Sequence, residues 1–362
     1  MTEVRTRSRI GGLDAARGVA VIAMIYVHLV PADGGVGISK VFTTLVTLFE
    51  GKFAALFFVV AGVASALQVK RQVDTKTLCK QLFRRYGLLA IVGVVMHRLV
   101  WSTEVLLALA LIIPITSLVA RRGSASLLVT IFAMVISIPF ISLQLSSWFE
   151  ADWLNSGSHA GDGFNCIATL RMLTINGSYP VVPWLALSCT GAYLYSFDLN
   201  DKLTRFRTLC CAALAVAIGC GAVMCAERVA LPLNLARLLQ CTWTPTSLPF
   251  LLINGGIATI MLVSLWHLTM ERWPARMLAQ CGKASLTHYM LHILVIALLL
   301  RHYYPDESWG ANVGILAYVI YIVTGLWLTS IWFRRFNEGP LEILWRWASG
   351  PKRKSVPKGS SG

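Results

Sequence analysis

Apolar residues in this chain come in long unbroken blocks, and the polar residues are gathered between them. That is neither the period of a soluble amphipathic helix nor that of a half-buried strand. An α-helix needs roughly 17–25 apolar residues to cross a hydrocarbon layer. Ten runs approach or reach that length, near 13–31, 41–67, 86–101, 104–120, 125–145, 176–197, 208–226, 247–268, 285–301 and 313–333. The third is short, and its end from His97 to Ser102 reads as a turn. The pattern predicts an all-α, polytopic integral membrane protein of about ten transmembrane helices in one bundle. It divides into a basic N-terminus (1–12), a membrane domain (13–333) and a C-terminal segment (334–362) ending in a disordered basic tail.

The first run carries charge where a lipid-facing helix would not. At about 100° per residue, Asp14, Arg17, Val21, Ile25 and His28 share a stripe roughly 80° wide, with Asp14 and His28 about 21 Å apart along the axis. Ionisable groups in a span face a bundle interior or a wet cavity. The bland alternative is that Asp14 and Arg17 anchor the helix at the interface while His28 caps its far end.

Composition supports the membrane reading: 56% of residues are hydrophobic and 14% charged, against roughly 25% charged in soluble domains. A net charge of +15 would suit nucleic acid. The Lys and Arg residues instead lie in short segments between apolar runs, which is the positive-inside pattern, so no nucleic-acid partner is expected. With Arg5, Arg7 and Arg9 in the cytoplasm, the basic segments fall on the same side, and both termini of the multi-pass chain are cytoplasmic. The outer segments then hold Asp33, Glu50, Glu104, Glu150, Asp152, Asp162, Glu227, Asp306 and Glu307, with Trp148, Trp153, Trp243 and Trp309 placed as interfacial anchors. The nine cysteines sit mostly inside apolar runs and read as small buried residues; Cys166 and Cys241 fall in the two long outer segments and could pair.

Four points put polar groups at outer helix ends. They are His28; Glu50 with Lys52; His97, Arg98 and Glu104 around a tight turn; and Tyr179 and Trp184 beside two prolines. Each alone is as consistent with an interfacial residue or a solvated pair. Together they supply a base, an acid and cationic hydrogen-bond donors, the set used in acyl transfer. His288 and His292 share a helix face at i, i+4, half of a metal site, but lack an HExxH glutamate and a third ligand. Hydrogen bonding to neighbouring helices is the preferred reading, and no metal is expected.

Five stretches carry a family resemblance: RIGGLDAARGVAVIAMIYVH, EGKFAALFFVVAGVASAL, YPVVPW, GKASLTHYMLH and NEGPLEILWRW. The LDxxRGxA and GKxxxLFxxxAG patterns, with GPLExLWRW at the C-terminal end, are the more specific ones. On these the chain resembles the DUF418 / YeiB-like group, related to the heparan-α-glucosaminide N-acetyltransferase-like transmembrane acyltransferases. The resemblance implies transfer of an acetyl or other short acyl group from cytosolic acetyl-CoA or another acyl-CoA to an extracytoplasmic glycan or lipid. In the lysosomal relative a histidine in the loop after the first helix does the chemistry. The loop PADGGVGISK has none, so His28 is the nearest candidate for base or acyl carrier, with His97 as alternate. Glu104 would orient an imidazole, Lys52 and Tyr179 would stabilise the oxyanion, and Glu50 and Trp184 would line the acceptor side. Asp14, Arg17, Arg84 and Lys283 would form the acyl-CoA entrance. Acyl-CoA would be a co-substrate, with no cofactor bound permanently. A small-solute transporter or channel is the other reading, and a homodimer is left open.

Overall fold

A computed structural model describes residues 11–32, 36–72, 74–100, 104–148, 170–229, 231, 233–244, 246–268, 272–304 and 309–350. The Cys166 pairing, His159, the outer segment beyond Trp148 and the basic tail after Gly350 lie outside the described residues. What is described is helix and turn, with no strand among those residues.

The helices are α1 (Gly11–Leu29), α2 (Ile38–Phe49), α3 (Lys52–Arg71), α4 (Thr75–Leu99), α5 (Leu106–Arg121), α6 (Ser124–Trp148) and α7 (Val181–Leu194). They continue with α8 (Lys202–Arg228), α9 (Leu233–Leu239), α10 (Leu248–Trp266), α11 (Trp273–Lys283), α12 (Ser285–Val295), α13 (Ala311–Trp332) and α14 (Pro340–Ser349). After Val295 the chain passes through a wider π-type turn, Ile296–Leu300, and a last turn to Tyr303. A helix underlies each of the ten apolar runs. Among the described residues six are long and apolar enough to cross a membrane, or seven if the bent pair α11–α12 is one span, and the protein is a multi-pass membrane protein. Helices α5 and α7 are apolar but shorter.

Three features depart from the apolar blocks. The second run breaks at Glu50 and Gly51, where Gly51 adopts φ 75°, a conformation a β-carbon disfavours. Helix α4 begins at Thr75, well before its apolar part, because Asp74 accepts hydrogen bonds from the Lys76 and Thr77 amides and caps a basic first stretch. Two amphipathic helices, α11 and α14, lie where no spanning run exists, and each has proline in its first turn.

Helix α3 is central, with α1, α5, α7 and α10 packed around it. Its crossing with α7 is backbone on backbone. A β-carbon on Gly62 would run into the Ser188 carbonyl, and one on Gly191 into the Val59 carbonyl. Small residues at such crossings let van der Waals packing replace the hydrophobic drive that lipid does not supply. Helices α1 and α11 repeat the device, with Gly282 against the Asp14 carbonyl and Gly18 against that of Leu278. As a result α1 is enclosed on nearly every side: Asp14, Val21 and Ile25 are all buried. Val21, Ile25 and Leu29 pack against Ile296, Leu300, Trp309 and Tyr321, so the stripe of the first helix faces α12 and α13. Trp309 is buried here, its indole donating to the Leu29 carbonyl at 2.8 Å. This corrects its expected place among the interfacial anchors: the end of α1 leaves carbonyls without helical partners, and Trp309 meets one of them.

Candidate active site

The end of α1 delivers His28 to α12. Nδ1 of His28 lies 2.9 Å from Nε2 of His292, the rings nearly parallel with centroids 5.2 Å apart. Nδ1 of His292 lies 3.1 Å from the carbonyl oxygen of His288, one turn earlier. A carbonyl only accepts, so Nδ1 of His292 carries the hydrogen and Nε2 is the acceptor. His28 therefore donates through Nδ1, which leaves Nε2 as its basic nitrogen.

His288 is held just as closely. Tyr321 of α13 donates to the His288 carbonyl at 3.0 Å and lies 3.2 Å from its Nδ1. Thr329, two turns further along α13, meets Nε2 at 3.0 Å. Both histidines of α12 are thus buried and bonded to neighbouring helices, as their bundle-facing spacing suggested. Among the described residues no group of three or more His, Cys, Asp or Glu is placed to hold a metal.

The helix that carries them is fixed at its start. The α11–α12 pair bends by 76° at Ala284, and the first turn of α12 exposes amide groups that no residue of its own helix can satisfy. Glu342 of α14 supplies the acceptors. Its Oε1 takes the Leu286 and Thr287 amides at 2.6 and 3.2 Å, and its Oε2 takes the Thr287 hydroxyl at 2.7 Å. The Leu341 amide donates back to Thr287 Oγ1 at 3.1 Å. Glu342 belongs to the GPLExLWRW stretch and was not singled out as a site residue.

The residues expected at the acyl-CoA entrance gather at the opposite end of α1. Asp14 is buried, 3.6 Å from Arg17. Arg84 of α4 donates to the Gly350 carbonyl at 2.8 Å, tying α4 to the end of α14. Lys283 is the last residue of α11, directly after the Gly282 crossing of α1. These three basic side chains come from α1, α4 and α11 around one end of the bundle.

The remaining candidates divide into two groups. Next to Glu104, Tyr289 links the start of α5 to the histidines. That ring lies edge-on to His292, with centroids 5.3 Å apart, and its hydroxyl accepts the Val105 amide at 3.1 Å. The Glu104 carboxylate itself accepts the Leu106 and Leu107 amides at 2.5 and 2.9 Å. It starts α5, and its contacts to the backbone are those of a cap, not of a group orienting an imidazole. Tyr179 and Trp184 belong to an aromatic cluster with Phe58, Trp243 and Phe250. Trp184 is fully buried, with its indole on the Thr246 hydroxyl at 3.2 Å. Glu50 is exposed and Lys52 half-buried at the start of α3, beside Phe250 and Asn254 through Gly51. His97 is half-buried in the last turn of α4; the ring the structure brings to His28 is that of His292.

Fold and site define a multi-pass helical membrane protein with a hydrogen-bonded histidine array between its first helix and two C-terminal ones. Residues 9–223 match the family model "Heparan-alpha-glucosaminide N-acetyltransferase, catalytic", and residues 195–352 match "Protein of unknown function (DUF418)". The chain therefore belongs to the heparan-α-glucosaminide N-acetyltransferase catalytic family, with the DUF418 pattern over its C-terminal part. It is also 21% identical to the uncharacterized protein YxaH of Bacillus subtilis (strain 168), over 95% of each chain.

Proposed function

We propose that this protein is a membrane acyltransferase that moves an acetyl or other short acyl group from cytosolic acyl-CoA to an extracytoplasmic glycan or lipid hydroxyl or amine. The family match supports the acyl-transfer class. The observation that carries the site is the bond from His28 Nδ1 to His292, which turns the other nitrogen of His28 into a lone pair at the end of α1. Acyl-CoA approaches the Arg17, Arg84 and Lys283 end, whose cationic groups suit its phosphates. In one turnover the acceptor's proton moves to His28 Nε2 as its oxygen or nitrogen attacks the thioester carbonyl. The C–S bond breaks, its electron pair leaves with CoA, and the thiolate takes the proton back. If His28 first carries the acyl group, the same lone pair makes the attack.

The experiment is incubation of the purified protein with labelled acetyl-CoA, following CoA release and transfer of label to membrane glycans and lipids. Release by the wild type that falls at least ~100-fold in His28→Ala supports the reading. Full activity in both His28→Ala and His97→Ala, each still folded, defeats it. The broken α11–α12 span favours a second reading, since discontinuous helices often frame transporter sites. Thermal stabilisation by acyl-CoA speaks for the enzyme. Stabilisation by a small solute, with uptake that depends on an ion gradient, speaks for transport.

A further inference from the structure

Resting on the acyltransferase reading, we propose that His292 is the positioning residue that fixes His28 in its reactive tautomer, and that His288, Tyr321 and Thr329 are there to hold His292.

The argument is one of counting donors. Tyr321 gives its hydrogen to the His288 carbonyl at 3.0 Å, so its oxygen is free to accept from His288 Nδ1 at 3.2 Å. His288 then has Nε2 as an acceptor, and the Thr329 hydroxyl at 3.0 Å supplies the hydrogen. The ring of His288 is satisfied at both nitrogens, and its backbone carbonyl is left as a fixed acceptor facing along the helix. His292 donates to that carbonyl at 3.1 Å and so presents a bare Nε2 to His28 at 2.9 Å. Each bond dictates the next, from α13 through α12 to α1.

The arrangement does for His28 what a carboxylate does for the histidine of a hydrolase triad, with a neutral acceptor in its place. When His28 Nε2 takes a proton, the imidazolium retains an acceptor at Nδ1. The charge can spread to His292, whose own N–H already points at a carbonyl. A neutral acceptor suits this position, because α1 is enclosed and a buried carboxylate here would carry a heavy desolvation cost. The array is not a continuous proton wire. Two side-chain donors meet at the His288 carbonyl, so protons exchange between His28 and His292 but do not pass on toward Thr329.

Three variants and one spectrum test this. His292→Phe removes the acceptor, and kcat for CoA release is expected to fall about 100-fold with KM within about 3-fold. His292→Gln places an amide oxygen near the lost Nε2 and is expected to recover most of that loss. In ¹⁵N-histidine-labelled wild type, the ring assigned to His28 by its absence from His28→Ala is expected to be protonated at Nδ1. An inactive His28→Ala beside a His292→Phe with wild-type kcat overturns the positioning role and leaves the acyltransferase reading standing. An active His28→Ala overturns the positioning role, and an equally active His97→Ala beside it defeats the acyltransferase reading as well. If His292→Phe does not fold, the spectrum decides: a His28 ring protonated at Nε2 overturns the proposal.

Discussion

Single residues in this protein are committed to backbone groups more often than their charges suggest. Glu342 is the clearest case. Burial pushes its carboxyl above the usual range, against the hydrogen bonds from Thr287 and Leu286 that pull it down. A carboxyl raised on folding contributes stability below its unfolded value and loses that contribution as pH rises through the folded one. Charge is therefore not what Glu342 is needed for; its two acceptor positions are. Glu342→Gln keeps the oxygen that both amides share and turns an NH₂ toward Thr287 Oγ1, so its melting temperature in detergent is expected to match or exceed the wild type at pH 8. Glu342→Ala leaves the first turn of α12 uncapped and is expected to lose about 1 kcal/mol, with a larger loss of activity because that turn carries His288. The opposite sign holds at Asp74 and Asp201, where hydrogen bonds from Thr77 and Thr204 lower the carboxyls. Their contribution is present above the ordinary value of 3.8 and is lost as pH falls through the lower folded value. Thermal melts of Asp74→Asn against wild type are expected to converge as pH drops below about 4.

At the scale of elements, what was legible in the sequence was whatever the bilayer itself demands. Blocks such as 247–268 and 313–333 must be apolar and long, and their helices, Leu248–Trp266 and Ala311–Trp332, fall within a few residues of them. Helices α11 and α14 answer to other demands. Arg276 and Lys283, or Glu342 and Arg346, interrupt their apolar residues, so no spanning run marks them. The Trp-Pro at 273–274 and Gly-Pro at 339–340 were the available signals, since proline in a first turn starts a helix well. The site was legible in part for the same reason. His28 stood out because a histidine in a span needs an explanation, but its partner lies 264 residues away and only packing pairs them. That packing depends on the α1–α11 crossing, where the backbones touch at Gly282 and Gly18. Gly282→Ala would drive a methyl group into the Asp14 carbonyl, so α1 must shift away from α11. Overpacking of this kind costs about 1–3 kcal/mol, and the shift is expected to reach His28. The expected outcome is a lower melting temperature with an added fall in kcat. A control substitution at Gly87, where a β-carbon meets nothing within 4 Å, should change neither.

The whole molecule poses the question of sides, on which the proposed reaction depends. The basic segments around Lys76–Arg85, Arg121–Arg122, Lys202–Arg207 and Arg272–Lys283 lie at one set of helix ends, the same set as Arg17 and the start of α12. Under the proposed function that end is cytoplasmic by the positive-inside rule, with the Arg17, Arg84 and Lys283 group on the acyl-CoA side and His28 toward the other face. Two natural cysteines report on this without added tags. Cys79 lies in the basic first part of α4 and Cys241 in the segment before α10, and both are exposed. In variants retaining one or the other alone, a membrane-impermeant maleimide applied to intact spheroplasts is expected to label Cys241 and spare Cys79, with Cys79 labelled only after lysis. The reverse pattern would place His28 on the cytoplasmic side. Transfer from cytosolic acyl-CoA to an outer acceptor would then have to be abandoned, even though every hydrogen bond in the histidine array stayed the same.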